Sequence, residues 1–483
     1  MASKLRGKPC KRCGDIGCHC KDFRGAGCGD EACPKNSRGS YDLKDSPSLK
    51  VVKRLCNRGL VSLQFLKSFK EKMGAIKAVI NSKSVHAVDD EEYWLKIRNL
   101  FAYDDEDARD AIPMNTANFA PTFHYVQLLM NEYNLELNKN ISIQNRLDDL
   151  GEVIDTARAL IATQLGVPSQ EIALMRNGTE ANNNVNNGQI LQPTDEVVIW
   201  EQNHGTNNQA WFIRQAQRPF VIKTVPSEFN GASTDDEIVA EFMKLVNANT
   251  KFVTFSHLSN VGGRLLPGEK ICKAVHATYP NCHVHIDGAM TWGCMNLNLV
   301  QMDCDSYSAS AHKWFLGPKE TGIFYMKTSR IPNFVPNTFG YDLKIILPPA
   351  LYDDARRFET LGQRADPSLM CLLNTAEIMG GIGFQAIEDR VRYMGTLLYN
   401  GLQAFPDFPM TTPANESQRI GVMIASVNED WGKLLVEYLY EHHRIAVWST
   451  GGFRGSPTIA TTTMHVQTLL DAIAEYRESN PQP

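Results

Sequence analysis

The feature that most constrains the fold is a regular alternation of strand-like and helix-like segments between residues 172 and 326. Short runs rich in β-branched and aromatic residues are separated by stretches with helical character. The predicted strands are residues 172–175, 197–200, 220–225, 252–256, 284–286, 306–308 and 323–326. Such alternation predicts a mostly parallel seven-stranded sheet flanked by helices, with ligands at the carboxyl ends of the strands.

Beyond residue 348 the pattern changes to longer helices. Apolar residues recur at helical spacing over residues 368–379 and 384–405, and again in a final helix over residues 466–477. With a few strand-like runs, these helices predict a smaller C-terminal α/β domain beside the large domain that holds the sheet. We therefore expect a Cys-rich basic arm with a linker, a basic helical segment, a large ligand-binding domain and a small domain, over residues 1–49, 50–90, 91–345 and 346–483.

Charge is distributed unevenly along the chain. The first 84 residues carry 19 Lys and Arg against 7 Asp and Glu, whereas the remainder carries 30 against 47. A basic arm on an acidic body indicates a separate role for the arm, or attraction between the two parts.

No apolar run approaches the ~20 residues of a membrane span, and residues 1–10 lack the apolar core of a secretory signal. We expect a cytoplasmic protein with no transmembrane segment and no nucleic-acid partner.

The basic segment over residues 50–83 has apolar residues at mostly three- and four-residue steps, which predicts a helix. Basic amphipathic helices can lie on a membrane surface or bind a partner. The alternative is a helix packed on the body of the protein, and the pattern alone leaves both open.

The N-terminal arm concentrates soft metal ligands. Cys10 and Cys13 form one pair, and Cys18 and Cys20 flank His19. Thiolates at such short spacing can hold a tetrahedral zinc ion. The alternative is a tail of free or redox-active thiols, because the overall spacing matches no standard zinc module.

A lysine and an aspartate mark the centre of the predicted site. Lys313 follows a predicted strand and precedes a Gly-Pro turn, which would hold its amine rigidly for Schiff-base chemistry with an aldehyde cofactor. Asp287 ends an apolar run where a parallel strand would open into its loop. A carboxylate there could keep a pyridine nitrogen protonated.

Two further motifs follow predicted strands. Gly178 and Thr179 open a helix directly after a strand, and free N–H groups at a helix start bind phosphate well. His204 follows the next predicted strand; a lone histidine is more often structural, but this one lies at the strand end where ligands are expected.

These residues resemble a known family. The motif resembles that of fold-type I pyridoxal-phosphate (PLP) enzymes. It consists of Asp287 and a later run with Ser310, His312 and Lys313, followed by Gly317 and Pro318. More narrowly, it resembles the class V aminotransferase family in its isopenicillin N epimerase-like branch. The resemblance covers roughly residues 91–475 and implies the fold-type I transferase fold, with a PLP cofactor in the large domain.

The resemblance also implies residue roles. Lys313 would hold the cofactor aldehyde, Asp287 the pyridine nitrogen, and His204 would stack on the ring; these three form the catalytic set. The cofactor-binding set implied is Gly178, Thr179, His204, Asn260, Asp287, Ser310, His312, Lys313 and Gln363. Asn260 would donate to the phenolic oxygen. Gln363 lies in a segment that, in the family, reaches the phosphate of the neighbouring subunit, which implies a homodimer.

The resemblance implies an amino-acid substrate and carbanion chemistry at its Cα, of the epimerase, aminotransferase or lyase type. Thr458 stands where the family usually has a substrate-carboxylate arginine. Arg454, on a glycine-rich stretch expected to be a loop, is the nearest substitute, with an exposed loop arginine as the alternative.

Two other functions stay open. A cysteine desulfurase or C–S lyase belongs to the same family, but a desulfurase needs a nucleophilic cysteine on a mobile loop. Cys371 lies in a predicted helix, and residues 331–350 and 448–456 contain no cysteine. The second alternative is a non-enzymatic PLP-fold binding or scaffold protein, directed by its Cys-rich arm.

Overall fold

The computed structural model describes residues 46–82, 87–101, 111–139, 141–142, 144–231, 233–340 and 354–483. The predicted zinc ligands Cys10, Cys13, Cys18 and Cys20 therefore lie outside the described residues. Among the helices that the structure describes, none is long and apolar enough to cross a membrane.

Helices dominate the first part of the chain. In order, the elements are α1 (Pro47–Asn57), α2 (Leu63–Ile80), α3 (Glu91–Arg98), β1 (Ile112–Pro113), α4 (His124–Asn138) and α5 (Gln144–Leu165).

The middle of the chain alternates between strands and helices. In order, these are β2 (Ile172–Met175), α6 (Gly178–Asn187), β3 (Glu196–Trp200), α7 (Gly205–Gln217), β4 (Val221–Val225), α8 (Asp235–Met243), β5 (Thr250–Ser256), α9 (Gly268–Thr278), β6 (His283–Asp287), α10 (Leu299–Met302), β7 (Ser306–Ser310) and β8 (Gly322–Met326).

The C-terminal part packs long helices with short strands. These are α11 (Asp366–Ile382), α12 (Phe384–Gln403), β9 (Met423–Ala425), α13 (Glu429–His443), β10 (Ile445–Ala446), β11 (Phe453–Gly455) and α14 (Thr463–Ser479).

The predicted sheet is confirmed. Among the described residues, seven strands pair in the order β2-β8-β7-β6-β5-β3-β4, and each predicted strand matches an observed one to within two residues at either end. Neighbours are parallel except for β8, which runs antiparallel to β2 and β7. The central strands are buried along their whole length, since helices cover both faces. The fold is thus the α/β fold of fold-type I PLP-dependent enzymes.

The predicted helix over residues 50–83 is in fact two helices, α1 and α2. Gly59 lies between them with φ +74°, a left-handed conformation that a helix cannot contain. Ser62 then caps α2, because its Oγ accepts a hydrogen bond from the N–H of Phe65 over 3.0 Å.

The apolar face of α2 is occupied by the protein itself. Phe65, Phe69, Met73 and Ile76 are buried, and α2 packs against α4 and α11. A membrane-surface role needs an exposed apolar face. The structure therefore shows the packed alternative for α2, whose main apolar face is covered by other described parts of the protein.

A separate hydrophobic cluster forms the core of the C-terminal elements. Residues from α12, α13 and α14 surround it, and Met114 joins them from the N-terminal side. This happens because β1 pairs in parallel with β10, so that Ile112 lies opposite Ile445. The chain from β1 to α4 contacts both parts, because Asn115 bridges to Ser456 and the N–H of Ala120 donates to the carbonyl oxygen of His312, shortly after β7.

Candidate active site

The predicted site residues lie where the parallel strands end. Asp287 closes β6, Ser310 closes β7 with Lys313 three residues later, and His204 follows β3. The carboxyl ends of parallel strands share one edge of a sheet, so side chains from distant sequence positions meet there.

Lys313 is an amine with a lowered pKa. Burial, the dominant effect, lowers the pKa of Lys313 to about 8; the Asp287 carboxylate acts in the opposite direction and the Arg454 guanidinium adds to the lowering. A lysine with this pKa is neutral far more often near pH 7 than an exposed one. Neutral amines are the form that attacks an aldehyde or accepts a proton.

Asp287 is held as an acceptor. One oxygen, Oδ1, accepts the N–H of Ala289 over 3.0 Å, and the other, Oδ2, accepts from Nδ2 of Asn182 over 2.9 Å. The side chain is only 5% exposed. Donors on both oxygens fix the orientation of the carboxyl group.

His204 caps α7 and is held in one tautomer. Its Nδ1 accepts the N–H of Thr206 over 3.3 Å and lies 2.8 Å from the hydroxyl of the same residue. Burial first, and then the charge of Lys313, lower the pKa of His204. A neutral ring with Nδ1 accepting carries its proton on Nε2.

The start of α6 meets the end of β7. The N–H of Gly178 donates to Oγ of Ser310 over 2.7 Å, and Asn177 caps the helix through the N–H of Glu180. First-turn N–H groups such as that of Thr179 have no intrahelical acceptor, and the helix dipole favours a negative ligand there. Thr179 is exposed, so this helix start is open to an anion.

The location of Arg454 differs from the predicted loop, and its burial differs from the alternative of an exposed arginine. It lies on strand β11, where it pairs with Ile424 of β9, rather than on a loop. It is also only 1% exposed, so the alternative of an exposed loop arginine is wrong. The glycine-rich stretch did not reveal the strand because its partner, β9, lies about thirty residues earlier.

The Arg454 guanidinium is held by neutral groups. It donates to the carbonyl oxygen of Asn260 over 3.1 Å, to Oδ1 of Asn118 over 2.8 Å and to Oδ1 of Asn115 over 3.4 Å. Burial lowers the pKa of Arg454 to about 10. No carboxylate pairs with it, and Nε has no hydrogen-bond partner, among the residues that the structure describes. A buried cation without an anion is costly, and an anionic ligand would complete it.

The remaining predicted residues are placed differently from one another. Asn260 is half-buried beside Arg454. The His312 ring lies 5.2 Å from the ring of Phe119, and burial lowers the pKa of His312 to about 4. Gln363 is exposed. Within the described residues it forms no hydrogen bond to the other candidate residues, so its role toward a neighbouring subunit stays a prediction.

Three asparagines were missed in the sequence. Asn182 holds Asp287, while Asn115 and Asn118 hold Arg454. Asn115 and Asn118 lie between β1 and α4, where no local motif marks them. Asn182 lies one helical turn after Gly178, on the helix expected to bind phosphate, which was the signal for it.

The donor set fits PLP. An amine, a carboxylate and an open helix start lie at one sheet edge, matching the aldehyde, the pyridine nitrogen and the phosphate of that cofactor. The unpaired Arg454 fits a further anion, such as a substrate carboxylate.

Fold and site together define a fold-type I PLP-dependent enzyme fold. The family model described as aminotransferase class-V matches residues 116–478. The chain belongs to the class V aminotransferase family and is therefore an enzyme, so the expected family and enzymatic character are confirmed and the scaffold alternative is not retained.

Individual relatives point to several activities. The chain is 26% identical over 297 residues to a cysteine desulfurase of Serratia proteamaculans, covering 59% of this chain and 70% of that protein. It is 23% identical over 282 residues to the isopenicillin N epimerase of Amycolatopsis lactamdurans, covering 54% and 67%. A solved structure of the cystine C–S lyase C-DES matches with TM-score 0.70 and 19% identity, over 76% of this chain and 97% of the other. At that identity the structural likeness shows the fold alone.

Proposed function

We propose that this protein is a PLP-dependent enzyme that removes the Cα proton of an amino-acid substrate. The observation that carries the proposal is the buried, unpaired Arg454 beside Lys313, whose pKa is lowered to about 8 while Asp287 faces the same site. Its proposed activity is that of an epimerase, aminotransferase or lyase, in the isopenicillin N epimerase-like branch of the family.

The bound cofactor would supply an electron sink for a carbanion at the substrate Cα. Lys313 would hold its aldehyde carbon, and Asp287 would face its pyridine nitrogen. His312 would also contact the cofactor, and Asn260 would donate to its phenolic oxygen. Gly178, Thr179 and Ser310 would contact its phosphate. The Gly178 N–H and the Ser310 hydroxyl already lie together at the start of α6, which supports this assignment.

Arg454 would bind the substrate carboxylate. Its guanidinium is oriented by Asn118 and by the Asn260 carbonyl, and no described carboxylate neutralises it. A carboxylate entering the site would therefore replace no existing ion pair. A guanidinium also fits a carboxylate through two parallel hydrogen bonds. The neutral asparagines keep the charge available and fix the direction from which an amino acid enters.

Lys313 and His204 would manage protons. With its pKa near 8, the Lys313 Nζ can accept the Cα proton at neutral pH and return it to the same or another carbon. His204 is neutral with the proton on Nε2, so it can stack on the cofactor ring without adding a second positive charge.

The second candidate, a cysteine desulfurase or C–S lyase, is supported by the named relatives. A persulfide mechanism needs an accessible cysteine at the site. Among the described cysteines, all but Cys56 are buried, and burial raises the pKa of the Cys371 thiol far above its usual range. A C–S lyase needs no cysteine of the enzyme, so of these two activities the C–S lyase is better supported.

Partners and location are proposals of the same kind. A homodimer would let Gln363 reach the phosphate of the neighbouring subunit, and its exposure is compatible with that role. Zinc bound by Cys10, Cys13, Cys18 and Cys20, and a cytoplasmic location, complete the proposal. None of these depends on the chemistry at Lys313.

The experiment is Cα-proton exchange in D₂O. Protein loaded with PLP is incubated with each amino acid singly, and mass spectrometry measures deuterium uptake while pyruvate, sulfide and keto-acid assays detect products. Exchange with inversion at Cα indicates an epimerase, turnover to a keto acid that requires an added keto-acid acceptor indicates a transaminase, and pyruvate with sulfide from cysteine indicates a C–S lyase. Absence of exchange and product across the whole set, in protein that holds the cofactor, would contradict Cα–H cleavage.

A further inference from the structure

A row of polar side chains is buried behind Asp287, on a face that is usually apolar. His283, His285 and Asp287 alternate along β6, so they point to the same side of the sheet. Ser306 and Ser308 on β7 lie opposite His285 and Asp287 in register. All are 5% exposed or less. Buried polar groups are stable in a protein when they form hydrogen bonds with one another. This face of the sheet therefore has a hydrogen-bond network instead of apolar packing.

Asn182 of α6 bridges this row to Asp287. Its Nδ2 donates to Oδ2 of Asp287 over 2.9 Å. The amide oxygen is thereby turned toward β6 and β7. There it accepts from the Ser308 hydroxyl and faces Nε2 of His285 at 2.9 Å.

The direction of each hydrogen bond then follows. Because Asn182 Oδ1 is an acceptor, Nε2 of His285 carries the proton. Burial lowers the pKa of His285 to about 3, so its ring is neutral and Nδ1 accepts. The hydroxyl 2.8 Å away, that of Ser306, must donate to it.

The same logic extends one residue further. The Ser306 hydroxyl gives its hydrogen to His285, so it accepts from Nε2 of His283 over 2.7 Å. Burial lowers the pKa of His283 to about 4, which leaves Nδ1 without a proton. That atom has no hydrogen-bond partner in the part of the chain that the structure describes. Every hydrogen bond from His283 to Asp287 therefore points toward the carboxylate.

We propose that Asn182 and His285 are positioning residues that hold the Asp287 carboxylate aimed at the pyridine nitrogen of the cofactor. This inference rests on the proposed function, since it assumes that Asp287 faces that nitrogen. A carboxylate aimed at the pyridine nitrogen can accept a hydrogen bond from the protonated ring, which stabilises the proton on the ring. The network also ties β6 to α6, whose start would bind the phosphate.

The test reads the proton on the cofactor nitrogen directly. Protein loaded with PLP labelled with ¹⁵N in the ring is examined by NMR, where the nitrogen shift distinguishes the protonated from the bare ring. We expect the protonated signal in the unaltered protein. In Asn182→Leu, which removes the donor at nearly constant volume, we expect the signal to move toward the bare-ring position.

Substitutions at His285 distinguish a role in the hydrogen-bond network from a role in packing alone. In His285→Gln, the amide can still donate to Asn182 and accept from Ser306, so the signal should stay protonated. In His285→Leu, Asn182 loses one of its two orienting donors and keeps the Ser308 hydroxyl, so the signal should move in the same direction as in Asn182→Leu but less far. Asn184→Leu is the matched control, because Asn184 is equally buried on α6 but bonds Glu180 and Asn337 instead.

An unmoved signal in both leucine variants at positions 182 and 285 would overturn the inference while leaving PLP binding intact. If Asn182→Leu does not fold, the comparison of His285→Leu with His285→Gln decides alone, and equal signals in those two overturn it. Absence of a bound cofactor signal in the unaltered protein would instead contradict the proposed function.

Discussion

Arg454 lies close enough to Lys313 in one buried site for the guanidinium charge to lower the pKa of the lysine. Asp287 acts on the same amine in the opposite direction. The residues proposed to bind the substrate carboxylate, the cofactor aldehyde and the cofactor ring thus share one electrostatic environment.

The first prediction concerns the substrate carboxylate. Arg454→Ala should weaken binding of the amino acid by about 2 kcal/mol or more, as expected for a desolvated ion pair that loses one partner. Binding is measured from the change in cofactor absorbance on titration with the amino acid. Arg419→Ala is the control, since Arg419 is also buried but bonds carbonyl groups of residues 413 and 414. Equal affinity in the Arg454 variant would mean that the carboxylate is held elsewhere.

The second prediction concerns pH. The pKa of Lys313 is lowered to about 8, so the neutral amine becomes the major form above that pH rather than above the ordinary lysine value of about 10.4. The rate of PLP incorporation into apoprotein should therefore rise with pH and level off above about 8. Stopped-flow absorbance measures this rate. A rise that continues to an inflection near about 10.4 would show an exposed lysine instead.

A third prediction concerns the phosphate site. A Cβ at Gly178 would lie 3.3 Å from Oγ of Ser310, at the point where the helix start must stay open. Gly178→Ala should weaken PLP binding, as measured by equilibrium dialysis. Gly151→Ala is the control on α5, where a Cβ meets nothing within 4 Å and alanine should stabilise the helix by up to about 1 kcal/mol. Unchanged PLP affinity in the Gly178 variant would place the phosphate elsewhere.

A fourth prediction separates the desulfurase candidate. Cys371 is buried on α11, and its Sγ lies 3.5 Å from the carbonyl oxygen of Val126. Cys371→Ala should therefore cost about 1 kcal/mol of stability and leave any sulfur release from L-cysteine unchanged. Thermal melting and a sulfane-sulfur assay measure the two effects. Persulfide that forms in the unaltered protein and disappears in this variant would restore the desulfurase mechanism.

A fifth prediction concerns the N-terminal arm. If Cys10, Cys13, Cys18 and Cys20 bind zinc, reduced protein should contain metal that is lost on deletion of residues 1–40. The truncated protein should keep its PLP, because the candidate cofactor residues all lie beyond residue 177. Elemental analysis and absorbance measure the two. Metal-free full-length protein would favour the tail of free thiols.

The sheet was predictable because its strands are short apolar runs that are buried on both faces. The site residues were predictable in position because polar residues such as Asp287 and His204 directly follow those runs. Their chemical roles rest on the family resemblance and remain predictions.

Long-range pairings were not predictable from the sequence. The strand that carries Arg454 forms only because it pairs with β9, and its glycines alone suggested a loop. The partner of Asn182 lies 105 residues away at Asp287, so no local pattern linked the two. The break in the basic segment depends on Gly59 and on the capping by Ser62, which apolar spacing does not reveal.

The assignment of Lys313 is tested most directly by identifying the amine that carries the cofactor. Protein loaded with PLP is reduced with borohydride, digested, and analysed by mass spectrometry for the peptide with the pyridoxyl mass. We predict a single modified residue, Lys313, and loss of both the modification and the visible absorbance in Lys313→Ala. A pyridoxyl group on another lysine, or unchanged absorbance in Lys313→Ala, would contradict the assignment on which the proposed function depends.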